Sequence, residues 1–209
     1  MLVRERLFRY VKPALFIASL IPLALLLHSA IADVDALGAN PIETINRYLG
    51  DWALRFLLIT LAITPLRRLT GWHELARLRR MLGLYAFFYA TLHIASYTVL
   101  DQQFDWDEIF KDIIKRPFIT VGFVSFVLLI PLAATSTNAM VRRLGGRRWR
   151  NLHRLVYAIG VGAVLHFFWM VKSDIREPLV YAAVLGLLLG YRAWRWSRRE
   201  RSLTADSAA

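Results

Sequence analysis

The sequence predicts an all-α fold, a polytopic membrane protein built as a six-transmembrane-helix bundle, and three observations predict it. Hydrophobic residues make up 57% of the chain. They fall into six long apolar runs, each near the ~20 residues a helix needs to cross a hydrocarbon core. The charges lie between the runs and alternate in sign from one gap to the next, most of the 27 Lys and Arg in one set of gaps and most of the 15 acids in the other. In a soluble protein a net charge of +12 would suggest nucleic acid. Clustered between apolar runs it marks topology and contact with membrane lipid, and no nucleic acid is expected as a partner.

The spans are placed at about 10–31, 46–66, 81–100, 117–135, 152–171 and 178–196, within one transmembrane domain, 1–201, followed by a tail, 202–209, expected to be disordered. The opening MLVRERLFRYVK and its apolar run read as a first anchor, because no small-residue cleavage site follows. Placing both termini in the cytoplasm puts Arg4, Arg6, Arg9 and Lys12, then Arg67, Arg68, Arg77, Arg79 and Arg80, then the 142–154 and 192–201 arginines inside. Asp33, Asp35, Glu43, Asp51, the acids of 101–112, Asp174 and Glu177 then lie outside. The outer loop DQQFDWDEIFKDIIKR, 101–116, interleaves acids with aromatic and aliphatic residues and reads as a short amphipathic surface helix, for interfacial packing or for docking an external protein. Pro117 and Pro178 fit span starts, and Pro22 and Pro131 imply kinks inside spans.

With no cysteine, the chain has no disulfide, iron–sulfur cluster or thiolate chemistry, and no catalytic residue stands out. Five histidines remain, and depth separates them. His73 falls in a loop and His28 at the end of the first span. His93 and His166 each stand in the outer half of a run that travels from inside to outside, so they lie at matched depth on different helices. Ionisable residues at that depth point to function. Two such imidazoles can supply both axial ligands of a haem, whose macrocycle supplies the rest; a proton-relay pair and simple hydrogen bonding are the alternatives. His153 lies 13 residues before His166, about 140° around an ideal helix from it, so only a kink, with Gly160 and Gly162 as candidates, would align the two. The inner position facing His153 holds Arg79 and Arg80, with Arg77 nearby, which suits an anionic cofactor such as a flavin phosphate at least as well as a second haem.

Four stretches carry a resemblance: LGANPIETINRYLGDWALRFLLITLAITPLRR (37–68), RRMLGLYAFFYATLHIASY (79–97), RPFITVGFVSFVLLIPLAATST (116–137) and LGGRRWRNLHRLVYAIGVGAVLHFFWMVK (144–172). Together they resemble the haem-containing membrane subunit of the bacterial periplasmic methionine sulfoxide reductase system, within the wider ferric-reductase-like transmembrane group. The resemblance implies a cytochrome b type bundle in the bacterial inner membrane, with His93 and His166 as iron ligands of haem b, His153 as a third membrane histidine, and a bound FMN. It also implies the partners: quinol or a cytoplasmic flavin reductase as donor, and a periplasmic molybdopterin-dependent methionine sulfoxide reductase catalytic subunit as acceptor. Two-haem ferric reductases carry two histidines on the third span and this chain only His93, so a second bis-histidine haem is not implied. The expected role is electron transfer within an oxidoreductase complex. A ferric-type metal reductase and a proton-coupled transporter are the other readings.

Overall fold

The computed structural model describes residues 2–171 and 173–206, and among these every regular element is a helix. In chain order they are α1 (Leu2–Ala18), α2 (Ile21–Ala32), α3 (Pro41–Thr70), α4 (Ala76–Ser96), α5 (Trp106–Lys115), α6 (Pro117–Ala134), α7 (Asn138–Leu152), α8 (Leu155–Met170) and α9 (Arg176–Asp206). A π-helical turn, Tyr97–Asp101, continues α4. Side-chain chemistry sets the ends. Asn40 caps α3 by accepting from Glu43 N at 3.2 Å, Pro41 opens that helix, and Gly71 closes it in the left-handed region at φ 68°. Asp105 caps α5, and Thr137 caps α7.

The outer faces of the apolar helices stay uncovered. Ile17, Ile21, Leu25 and Ile31 on α1–α2 and Val124, Val127 and Ile130 on α6 are exposed, which suits hydrocarbon and not water. By length and composition three helical stretches among the described residues can cross a membrane: Arg9–Ala32, Pro41–Thr70 and Pro117–Ala134. A fourth counts if α7 and α8, bent by 43° at their junction, are taken together. The expected third and sixth spans correspond to α4 and α9. They fall outside that count because α4 opens on arginines and its apolar run passes into the π-turn, and because α9 turns basic from Arg192.

α9 runs through Asp206, and the last three residues of the 202–209 tail lie outside the described residues. Gly160 and Gly162, the candidates for a kink that would align His153 with His166, are both helical and serve close packing, and the helix breaks at His153–Arg154, between α7 and α8. A Cβ on Gly160 would meet Leu185 and Leu61 side chains at 3.3 and 3.6 Å, and one on Gly162 would collide with Ser125 Oγ.

The core lies between α3 and α4, where Phe56 stacks on Tyr89 and Tyr85 at 5.3 and 5.5 Å between ring centres. Those tyrosines also mend the break between α1 and α2. Pro22 has no N–H, so the helix ladder fails around it, and hydrocarbon offers no water to the freed groups. Tyr89, with no exposed surface, donates its hydroxyl to Ser19 O at 2.8 Å and accepts from Leu23 N at 3.2 Å, standing inside the helical bond those two groups would otherwise make. Tyr85 donates to Phe16 O at 2.8 Å and Tyr48 to Pro22 O at 3.2 Å. Removing the Tyr89 hydroxyl strands a buried donor and weakens satisfaction of an acceptor. Tyr89→Phe is therefore expected to lower stability by about 1–3 kcal/mol, and Tyr85→Phe, which strands one carbonyl, by less; unfolding in mixed micelles with both variants measures the difference.

Candidate functional site

His93 on α4 and His166 on α8 meet in the bundle, their ring centres 6.2 Å apart and their planes at 72°. The matched depth inferred along the chain thus corresponds to contact in space. Each ring is held in the same way. His93 Nδ1–H donates to Asn46 O on α3 at 2.9 Å, and His166 Nδ1–H donates to Phe118 O on α6 at 2.6 Å. A carbonyl can only accept, so both δ nitrogens carry the proton and both Nε2 atoms keep a free lone pair.

The two carbonyls are reachable because each belongs to the residue four before a glycine. In a helix the C=O of residue i−4 points at the N–H of residue i, and a side chain at i covers its flank. Gly50 follows Asn46 and Gly122 follows Phe118 at that spacing, so each carbonyl is bared on one side and uses its second lone pair for the imidazole. The fit is tight: a Cβ on Gly50 would stand 3.1 Å from His93 Nδ1, and one on Gly122 2.7 Å from His166 Nδ1. The Asn46 amide adds a second tie, donating to His93 O at 3.2 Å and Ser96 Oγ at 3.0 Å.

The separation fits a metal between the rings. Two imidazoles with uncommitted ε nitrogens at this spacing would be close enough to hold one metal ion jointly. No cluster of three or more His, Cys, Asp or Glu that could hold a metal by itself occurs among the described residues, so a metal here needs its remaining ligands from a cofactor. The donor set fits a haem iron and not a bare zinc ion.

A second site lies at the basic end. A cavity of about 390 Å³ is lined by Arg79, Arg80, Arg150, Arg154, Arg192 and His153, together with Thr60, Gly83 and Tyr157, and no carboxylate among the described residues lines it. Arg77, expected with Arg79 and Arg80, does not line it; it stands at the second position of α4, on the exposed rim. His153 occupies the turn between α7 and α8. Trp149 stacks on it at 3.9 Å, and its Nε2 lies 3.1 Å from Thr135 Oγ1. Since that hydroxyl donates to Pro131 O at 2.6 Å, it accepts from His153 Nε2–H. The ε nitrogen of His153 is therefore committed, whereas those of His93 and His166 are free. His28 and His73 are exposed and stand apart from either site.

Gly50, Gly122, Asn46 and the 150–154 arginines are the parts that the sequence reading missed. The arginines were legible only as topology signals; the glycines had a usable signal, an isolated Gly in a helix beside a histidine-bearing helix.

An all-helical membrane protein with two helix pairs, each pinning one histidine, defines a transmembrane redox class, and comparison with known proteins agrees. Residues 49–164 match the model of the ferric reductase like transmembrane component, a span that includes Gly50, His93, Gly122 and His153. A protein-methionine-sulfoxide reductase heme-binding subunit MsrQ of Herminiimonas arsenicoxydans is 54% identical over 195 residues, covering 92% of this chain and 88% of the relative. Proteins of the same description from Xanthomonas oryzae pv. oryzae (strain MAFF 311018) and Xanthomonas euvesicatoria pv. vesicatoria (strain 85-10) are 59% identical over 174 residues and 61% over 161, covering 83% and 77% of this chain and 79% and 73% of the relatives. The chain belongs to the MsrQ family of the ferric-reductase-like transmembrane group.

The glycine contacts give a graded expectation. Gly→Ala inside a helix gains about 1 kcal/mol of propensity, whereas overpacking costs about 1–3 kcal/mol. At Gly122, with 2.7 Å to a hydrogen-bonded ring, overpacking dominates and Gly122→Ala should be destabilising; at Gly50 the two effects nearly cancel. Thermal unfolding of both variants in detergent checks the order.

Proposed function

We propose that the chain is a haem-binding electron-transfer subunit in which His93 and His166 are the axial ligands of one haem b. The observation that carries this reading is the pair of free Nε2 atoms presented from α4 and α8 by rings 6.2 Å apart. The naming of the relatives as heme-binding subunits of a methionine sulfoxide reductase supports it. Bound there, haem supplies one-electron iron chemistry. The residues of the chain do the rest: Asn46 and Phe118 carbonyls fix each tautomer and raise the basicity of the free nitrogen, Gly50 and Gly122 bring the helices close, and the surrounding apolar helices keep water out.

The recipient in this reading is a periplasmic molybdopterin-dependent methionine sulfoxide reductase catalytic subunit, and the donor is quinol or a cytoplasmic flavin reductase. The chain crosses the bacterial inner membrane six times in one domain, with both termini in the cytoplasm, as the Lys/Arg bias supports. The basic cavity is then the inner station. FMN suits it better than a second bis-histidine haem, because Arg79, Arg80, Arg150 and Arg154 converge without a carboxylate and the Nε2 of His153 is taken by Thr135.

A reduced-minus-oxidised spectrum of the purified protein, with pyridine haemochrome and flavin quantification, tests the whole proposal. One haem per chain is expected. His93→Ala and His166→Ala should each abolish the low-spin b-type bands and His153→Ala should leave them; an unchanged spectrum in His93→Ala sinks the assignment. Arg150→Ala and Arg154→Ala should each weaken FMN binding about 10–100-fold, the worth of one charge-assisted hydrogen bond, with the haem bands intact.

A further inference from the structure

The loop between α4 and α6 holds a helix with three distinct faces. At ~100° per residue, Ile109 and Asp112 share one face of α5, and both are buried against the bundle. About a third of a turn away, Trp106, Phe110 and Ile114 form a row that is 57, 61 and 80% exposed. A further third of a turn on, Asp107, Lys111 and Lys115 form a polar row, and Glu108 beside it pairs with Lys111 at 2.7 Å. A helix in a two-phase setting needs an apolar and a polar face; α5 has a third because it also leans on protein.

The apolar row does not stand alone. Val99 and Leu100 of the π-turn are exposed beside the start of the loop, and α6 begins at Pro117 directly after α5 and carries the uncovered row Phe123, Val124, Val127 and Ile130. Exposed apolar rows therefore lie on both sides of the Lys115–Pro117 junction, on a membrane-spanning helix and on α5. A protein partner would need the row to face water until it arrived; a bilayer covers it as part of the same belt. Trp and Phe beside charged residues are also the composition found at the headgroup level. We propose that α5 lies in the plane of the membrane interface at the acidic end, with Trp106, Phe110 and Ile114 in lipid and Asp107 and Lys111 in water.

The seating has a structural consequence. The Asp112 carboxylate accepts from Tyr97 OH at 2.9 Å and from Arg116 Nε at 2.9 Å. Tyr97 stands one helical turn beyond His93, in the π-turn that ends α4. A helix held on the bilayer thus buttresses the end of the helix that carries His93.

The chain has no cysteine, so single cysteines at Trp106, Phe110, Ile114 and Lys111 can be spin-labelled in full-length protein in nanodiscs of phosphatidylethanolamine and phosphatidylglycerol. Oxygen accessibility should exceed nickel-chelate accessibility several-fold at the first three positions, with the reverse at Lys111. Nickel-chelate access at Phe110 and Ile114 equal to that at Lys111, with no partner present, overturns the proposal and leaves the row as a protein-docking face. Photoactivatable lipid with unmodified protein gives a second reading that no variant can confound: adducts should map to Trp106, Phe110 or Ile114, and their absence from 104–116 overturns it as well.

Discussion

One hydrogen bond, made twice, organises this bundle: an imidazole Nδ1–H donated to a helix carbonyl that a glycine one turn later leaves uncovered. It ties α4 to α3 through His93 and Asn46, and α8 to α6 through His166 and Phe118. The same bond fixes which nitrogen of each ring stays free. Packing and ring placement are thereby coupled, since the helix pairs that must pack closely for the carbonyl to be reached are those that hold the two imidazoles 6.2 Å apart. In hydrocarbon a polar imidazole nitrogen without a partner is costly, so the interaction satisfies a donor as well as aiming an acceptor.

The two ends of the bundle differ in kind. At the acidic end charges are paired: Arg47 with Glu43 at 2.6 Å and Arg55 with Glu177 at 3.5 Å, while Arg55 also donates to Tyr181 OH at 2.8 Å. At the basic end the arginines around His153 converge on a cavity with no carboxylate among the described residues that line it, and neutral groups accept from two of them: Arg80 donates to Asn138 Oδ1 at 2.6 Å, and Arg192 donates to Leu188 O and Leu61 O. Guanidinium groups kept close together without counter-charge repel one another, and an anion between them relieves that repulsion. The asymmetry leaves a cluster of arginines at one end and an excess of acids, some of them ion-paired, at the other.

Much of this was legible in the chain. The apolar runs mark the helices, and the positions of His93 and His166 along them mark the two rings that meet in the bundle. What was not legible depended on relations between helices. Gly50 and Gly122 look like ordinary helix glycines until the neighbouring imidazole is in place. The arginines at 150 and 154 satisfy a topology rule whether or not they face a cavity. The largely apolar run 152–171 reads as one continuous helix that includes His153, but the backbone turns at 153–154, where Trp149 and Thr135 engage the ring.

The break in the first apolar stretch shows how a membrane fold tolerates such turns. Pro22 removes a backbone donor, and the neighbouring helices answer with phenol hydroxyls from Tyr48, Tyr85 and Tyr89. These tyrosines are also the rings that stack with Phe56 and Trp52 in the core. One residue type therefore meets two demands that water would otherwise separate, a dry aromatic interior and a saturated backbone. The histidines follow the same logic, with each ring half-buried by packing and its one donor given to a carbonyl. Among the described residues the buried side-chain polar atom left without a partner is Trp52 Nε1, in the aromatic core beside Phe56 and Tyr89, whereas the rings of His93 and His166 each spend the δ donor on a carbonyl and leave the ε nitrogen uncommitted.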